Sequence, residues 1–334
     1  MSATIRDVAR RAGVSPSTVS KALNETGAVS PQTAQRIHQA VKALGYQPNA
    51  RARSFATQST HLIAFLCDFP YDAAFVNPHL FEIMRGAQHM LDKNGYALLM
   101  KQADPKQACT YTETASAQHQ VDGFVLHASV ISKKLAALVT RQGIPHIVIG
   151  KPNLDSRMCW IDTDNQLSGE QAAHHLLDKG YAQLAVVSGR AEDMISWRRL
   201  LGVRSVLKER GIDLDNSRII QTTSSIADGV RSVKKLLRMR PQPQAVICAN
   251  NPLALGVLQE LQNRGVRVPQ DMALITFDSY PFAMFSEPAM TAVDINMYDM
   301  GQEAARLMLR KIKHPEVQIQ SVTTLPTLIE RETT

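Results

Sequence analysis

Thr4-Ile5-Arg6-Asp7-Val8-Ala9-Arg10-Arg11-Ala12-Gly13-Val14-Ser15-Pro16-Ser17-Thr18-Val19-Ser20-Lys21-Ala22-Leu23-Asn24 is the stretch that decides how the front of this chain folds. Thr4 is placed to cap backbone N–H groups, and Asp7 at the third position reciprocates while suiting the positive end of a helix. Ile5, Val8, Ala9 and Ala12 then fall on one helical face. Gly13 follows where the chain needs positive φ. Ser15-Pro16 opens a second helix, with Ser15 as cap and proline at the first position, where its missing N–H costs nothing. That helix turns Val19 and Leu23 inward and ends near Asn24. Ser30-Pro31 repeats the start, and Ala34, Ile37, Val41 and Leu44 stripe a third helix that stops at Gly45.

Three short helices, the first two separated only by Gly13-Val14-Ser15, describe a helix-turn-helix. The competing reading is a helical cap that serves only packing. Against it, the second helix exposes Ser17, Ser20 and Lys21 on the face away from its apolar residues. Short polar groups let a backbone approach a groove floor, and a cation can donate to guanine O6 and N7. Charge agrees. Residues 1–60 hold eight basic side chains against Asp7 and Glu25, a net +6 of the whole chain's +7. A basic head on a near-neutral body suits a polyanion, although a solvated basic face would look the same.

The quoted stretch resembles the N-terminal signature of the lactose-repressor (LacI/GalR) family. The resemblance implies that Pro16, Ser17 and Lys21 face the major groove, with Thr4, Ser15, Thr18, Ser20 and Asn24 near phosphates. Pro16 cannot donate a hydrogen bond, so base reading would shift to Ser17 and Lys21, with Pro16 touching a thymine methyl at most. Residues 46–56 read alone as a linker with one or two helical turns, too short to be stable without a partner. They match the family's hinge helix, with Ala52 as the small groove-facing residue. Phe55 stands at the apolar wedge position, where most relatives carry leucine.

Working outward, 334 residues suit two or three domains. A chain 44% hydrophobic and 20% charged can bury a full core, which excludes a disordered or fibrous protein. No apolar run is long enough to cross a bilayer, and residues 1–7 lack a secretory signal. Cys67, Cys109, Cys159 and Cys248 show no CxxC spacing, so reduced structural thiols in a cytoplasmic protein are expected. From residue 61 apolar strands alternate with helical stretches. The candidate strands are 62–67, 97–101, 121–127, 146–149, 183–188, 218–221, 245–249 and 272–277. Helix-like segments include 80–93, 166–179, 197–210, 226–239 and 253–264. This pattern predicts a doubly wound parallel α/β body in two lobes of about four strands each, binding ligands at strand carboxyl ends.

An enzyme is disfavoured. The sequence has no GxGxxG, GxxxxGK[ST], GxSxG or HExxH, so it offers no cofactor site and no catalytic set. Its histidines are scattered without metal-ligand spacing. Asp162-Thr163-Asp164 could be imagined as paired carboxylates, but nothing nearby supplies a nucleophile.

The family resemblance extends through the body. Trp160 to Asn165, Ala172 to Leu176 and Gly180-Tyr181 are similar to the family's passage into its second lobe. Arg199-Leu200-Leu201-Gly202 matches an RxxG whose arginine faces the effector; Asn250 and Asp278 match its strand-end amide and carboxylate. A guanidinium, an amide and a carboxylate together suit ligand hydroxyls or ring nitrogens. Each has an alternative: Arg199 as a surface arginine, Asn250 as a helix cap, Asp278 as a turn former. Asn251 departs from the family's usual aspartate, and Thr222-Thr223-Ser224 stand where an aromatic often stacks. Any stacking would come from Phe75, Trp197 or Phe282, with Asn77 and Lys151 as further polar contacts. Lys151 could equally be solvated.

The resemblance implies a helix-turn-helix head over 1–46, a hinge and linker over 47–60, and a periplasmic-binding-protein-like effector domain over 61–334. Lobe 1 would hold about 61–162 and 292–322, and lobe 2 about 163–291 and 323–334. The expected protein is a dimeric, cytoplasmic repressor of a pseudo-palindromic operator on double-stranded DNA. A sugar or sugar phosphate would control it, since the aromatic set is thin for a purine. Residues 326–331 carry no heptad of a tetramer-forming tail. The alternatives are a purine-responsive regulator, or a solute-binding protein without a DNA role, which would leave the basic head unexplained.

Overall fold

The helix caps organise the head as their chemistry requires. In the computed structural model, which describes all residues except 1–2, 25–26, 28, 47–58, 69–77, 155, 280–281 and 318–320, helix α1 spans Ile5–Ala12, α2 Pro16–Asn24 and α3 Pro31–Leu44. Thr4 and Asp7 form a reciprocal capping box. Gly13 and Gly45 end α1 and α3 in the left-handed region, at φ 64° and 57°. Val8, Ala9, Ala12, Val19, Ile37 and Ala40 close a small core. Ala52 and Phe55 lie outside the described residues.

The chain re-enters at Ser59. Its hydroxyl, the Thr60 and His61 N–H groups and the Thr60 hydroxyl all donate to the carboxylate of Asp122. One acidic side chain thus fastens the start of the body to the amino edge of the first sheet.

That sheet contains β1 Leu62–Cys67, β2 Ala97–Gln102, β3 Gly123–His127, β4 His146–Ile149, β5 Trp160–Thr163 and β11 Val322–Thr324, in the order β11-β5-β4-β3-β1-β2 and parallel throughout. The second holds β6 Leu184–Ser188, β7 Ile219–Gln221, β8 Ala245–Cys248, β9 Ala273–Phe277, β10 Thr291–Asp294 and β12 Thr327–Ile329, ordered β12-β10-β9-β8-β6-β7. Six strands per lobe stand where the sequence predicts about four. The additional strands are β5, β10, β11 and β12, and β12 pairs antiparallel to β10 against the all-parallel expectation. Each of these four carries threonine within a run of only three or four residues, so it lacks the continuous apolar signal that marks β4 and β8.

Helices cover both faces of both sheets, which is why the central strands are apolar throughout. Along β1, Ile63, Phe65 and Cys67 pack to one side while Ala64 and Leu66 pack to the other. Lobe 1 carries α4 Pro78–Asp92, α5 Pro105–Ala117, α6 Lys133–Gln142 and α12 Met297–Lys313. Lobe 2 carries α7 Asn165–Asp178, α8 Met194–Glu209, α9 Ile226–Leu236, α10 Asn251–Asn263 and the short α11 Phe282–Phe285. The chain crosses between lobes three times, after β5, β10 and β11. Cys67, Cys109 and Cys248 are buried thiols and Cys159 is partly buried; none is in a disulfide. Burial pushes the Cys67 thiol up to about 11, so it stays protonated. Among the described residues no helix is long and apolar enough to cross a membrane.

Candidate functional site

Two surfaces emerge from this framework. The first is the outer face of α2. Pro16, Ser17 and Lys21 are exposed there, with Thr18 and Ser20 half-buried beside them. The Ser15 hydroxyl lies 2.7 Å from that of Ser17 and 2.8 Å from that of Thr18, and accepts the Thr18 N–H at 3.1 Å. The cap therefore pre-orients a row of hydroxyls at the amino end of α2. Thr4 is exposed, and Asn24 ends the helix.

The second is a cavity of about 250 Å³ between the lobes, at the carboxyl ends of both sheets. Arg199 sits at its base and is 4% exposed. Its Nε donates to Asn165 Oδ1 at 3.1 Å, its Nη1 to the Ala249 carbonyl at 2.7 Å, and its guanidinium stacks 4.3 Å from the Phe277 ring centre. Burial lowers the Arg199 pKa, opposed by the charges of Asp278, Asp193 and Asp162. The packing that admits Arg199 is visible in its own motif. Helices α7 and α8 cross so closely that a Cβ on Gly202 would lie 2.0 Å from the Gln166 carbonyl oxygen, and one on Gly169 1.9 Å from that of Arg199.

Asp278 follows β9 with φ 70°, a left-handed conformation strained for a non-glycine residue but best tolerated by Asp and Asn. Its Oδ2 is 3.3 Å from His79 Nε2 of lobe 1, while its Oδ1 lies 3.9 Å from Arg199 Nη2 with no hydrogen-bond partner. A second contact across the cleft joins Arg198 of lobe 2 to Asp162 of lobe 1 at 3.4 Å. Burial raises the Asp162 pKa, and backbone N–H groups of Lys151 and Thr163 with Arg198 oppose that rise. Asn250 caps α10, accepting the Leu253 N–H through Oδ1 at 3.0 Å, and still lines the cavity. The helix cap and the site are therefore compatible roles for this residue.

A lining residue that the sequence reading passes over is His127, at the carboxyl end of β3. The Ser129 N–H donates to its Nδ1 at 3.1 Å, which fixes the neutral tautomer with its proton on Nε2. Burial lowers its pKa to about 4, so the ring stays neutral. Asn165, Asp193 and Ser196 are likewise brought to the cleft by helix starts. The strand-end rule alone could have nominated His127.

Other expected contacts fall elsewhere. Asp193 caps α8 and starts it at Met194, three residues before the predicted start, so Trp197 lies in the first turn. There it is 44% exposed and outside the cavity lining, where Ile195 and Ser196 stand instead. Lys151 is exposed and rests its ammonium 5.5 Å over the Trp160 ring, again outside the lining. Phe75 and Asn77 lie outside the described residues. Asn251 is fully buried, and its amide has no hydrogen-bond partner.

Comparison with known proteins matches both parts of the chain. Residues 4–49 match the model of the bacterial regulatory proteins of the lacI family, and residues 173–334 match that of a periplasmic binding protein-like domain. The ribose operon repressor of Escherichia coli (strain K12) is 30% identical over 332 residues, covering 98% of this chain and 99% of the relative. This chain belongs to the lacI family. Another relative, the HTH-type transcriptional repressor PurR of Vibrio vulnificus (strain CMCP6), is 29% identical over 340 residues, 99% of this chain and 98% of its own. The lac repressor dimer bound to operator and the anti-inducer ONPF has the same fold, with a TM-score of 0.84 at 21% identity over 100% of this chain and 99% of that one. As a lacI-family member the chain is a DNA-binding transcriptional regulator controlled by a small-molecule effector, and not an enzyme.

Proposed function

We propose that this regulator is a homodimeric repressor whose inter-lobe cleft takes a neutral sugar. The observation that carries the reading is the buried Asp278 Oδ1, an acceptor without a donor in a cavity lined by polar groups. An unpaired buried acceptor costs about 1–3 kcal/mol, which a ligand hydroxyl relieves. The two cleft guanidiniums are already engaged: Arg199 by Asn165 and Ala249, Arg198 by Asp162. Among the described lining residues no further lysine or arginine stands ready for a phosphate, so the sugar phosphate is the weaker half of the expectation. None of these described lining residues is Phe, Tyr or Trp either. The E. coli relative is a ribose operon repressor, which agrees with a sugar.

Exposed Phe81 on α4, with Leu99 and Met100 on the edge strand β2, offers a second copy an apolar face on lobe 1; Met284 and Phe285 do so on lobe 2. The structurally similar lac repressor is a dimer. Two heads then read two half-sites of a pseudo-palindromic operator in the cytoplasm, with Ser17 and Lys21 at base edges and Ala52 and Phe55 in the minor groove. The effector acts on lobe closure. Among the described residues the His79–Asp278 contact and the Arg198–Asp162 pair span the cleft, so a ligand that rearranges them alters the angle between lobes and the spacing of the hinges. A coupling of about 1–3 kcal/mol gives a five- to 150-fold response.

Selection of random duplex DNA by the purified protein, alone and with sugars, sugar phosphates and purines, tests the reading. An enriched palindrome whose recovery shifts with a neutral sugar supports it; a shift with a purine alone refutes the ligand assignment.

A further inference from the structure

Lobe 1 holds a second cavity, of about 440 Å³, at the end of its sheet opposite the effector cleft. The cleft lies at the carboxyl ends of the parallel strands; this cavity lies at their amino ends, beside His146, the first residue of β4, and Cys159, just before β5. It occupies the same sheet edge to which Asp122 fastens residues 59–61. Arg157 and Lys311, from the last turn of α12, bring two cations to it, and no carboxylate is among its described lining residues.

His146 specifies what those cations would hold. It is 7% exposed, and its Nδ1 lies 2.8 Å from the Ile144 carbonyl. A carbonyl oxygen only accepts, so Nδ1 carries the proton and Nε2 presents a lone pair. Burial and the nearby Lys311 charge keep the ring neutral. Nε2 has no partner. The Lys311 ammonium donates to the carbonyls of Pro315 at 3.4 Å and Val317 at 3.2 Å, which leaves one of its three N–H groups.

We propose that this cavity is a second small-molecule site, for an oxyanion that carries its own O–H, such as inorganic phosphate, a singly protonated phosphate monoester or a hydroxy acid. The negative oxygens lie against Arg157 and Lys311, and the O–H donates to His146 Nε2. An acceptor-only nitrogen has nothing to receive from a DNA phosphodiester, which bears no O–H at neutral pH. The site is thereby tuned to a free small anion over the operator backbone.

Inorganic phosphate and sulfate separate the two demands, because dihydrogen phosphate supplies an O–H and sulfate does not. The full chain is titrated with each by calorimetry, and with phosphate also by phosphorus NMR line broadening, at a pH where dihydrogen phosphate is abundant. Phosphate is expected to bind about tenfold more tightly than sulfate, the size of one hydrogen bond to a charged partner. Arg157→Ala, a surface change that leaves the core intact, should weaken both ions. His146→Phe should bring phosphate down to the level of sulfate. Asp278→Gly, in the other cleft, should leave phosphate binding unchanged. Equal affinity for the two ions, insensitivity to Arg157→Ala, or loss of binding in Asp278→Gly would each overturn the proposal. So would displacement of phosphate by non-operator duplex, which would assign the cations to the DNA backbone.

Discussion

Gly202→Ala tests how the effector site is built, since it alters no group in that site. The added Cβ would lie 2.0 Å from the Gln166 carbonyl oxygen and 2.8 Å from the Glu170 nitrogen, both backbone atoms of α7. Ordinary van der Waals contact begins at 3.4 Å, so α8 must retreat from α7 by about 1.4 Å. Arg199 is one turn away on the retreating helix. A shift of that size carries its 3.1 Å bond to Asn165 past the roughly 3.5 Å limit of a hydrogen bond. Three magnitudes compete. Alanine in place of a helical glycine gains about 1 kcal/mol. Overpacking costs about 1–3 kcal/mol, and a buried guanidinium left partly unpaired costs about 1–3 kcal/mol more. The penalties win by about 1–5 kcal/mol, which lowers Tm by about 2–4 °C per kcal/mol in a domain of this size. Scanning calorimetry and effector titration of the variant should show both the lower Tm and a weakened effector response. An unchanged Tm with full effector affinity would show that the helix crossing does not position Arg199.

Asp278→Gly should separate stability from function: it relieves a left-handed φ of 70° and an unpaired buried oxygen but withdraws the carboxylate that faces His79 and the buried Arg199, so these terms offset and Tm changes little while the effector response disappears. A variant that still released operator on effector addition would remove Asp278 from the site. Lys21→Ala should cost about 1–3 kcal/mol in operator binding and relax preference at one base pair; a uniform loss across all sequences would make Lys21 a phosphate contact instead. For pH, the His127 pKa falls from 6.5 to about 4 on folding, so the unfolded chain binds more protons between those values. Its contribution to stability is complete above pH 6.5, declines as the pH falls towards 4 and is absent below. Urea unfolding as a function of pH should show this slope in the wild type, and less of it in His127→Gln.

The head was legible because its folding instructions are local. Thr4 with Asp7, Gly13, Ser30-Pro31 and Gly45 each act within one helical turn, and the structure uses them as written. The central strands were legible for a different reason, since burial on both faces leaves continuous apolar runs such as Leu62–Cys67. Residues 291–294 become a strand by lying between β9 and β12, and residues 327–329 by pairing with 291–294, pairings no local window contains. The effector site divides in the same way. Arg199, Asn250 and Asp278 are nominated by the motifs around them, through the resemblance to the family. His127 and Asn165 are identified by what meets them: a backbone N–H at Nδ1 of one, a guanidinium at Oδ1 of the other. Trp197 failed as a lining residue because Asp193 moved the start of its helix.

The three crossings between lobes bear on how the protein is made. β11 and α12 belong to lobe 1 but follow almost all of lobe 2 in the chain, while β12 completes lobe 2 at the far end. A ribosome that has finished residues 61–163 has therefore produced a sheet whose β5 edge is unpaired and whose α4 lacks the helix that should cover it. Neither lobe can close until residues 297–329 emerge, so the two halves finish folding almost together. This order of synthesis holds apolar surface open for most of translation, and it favours chaperone attendance on a polypeptide whose finished sheets are covered by helices on both faces.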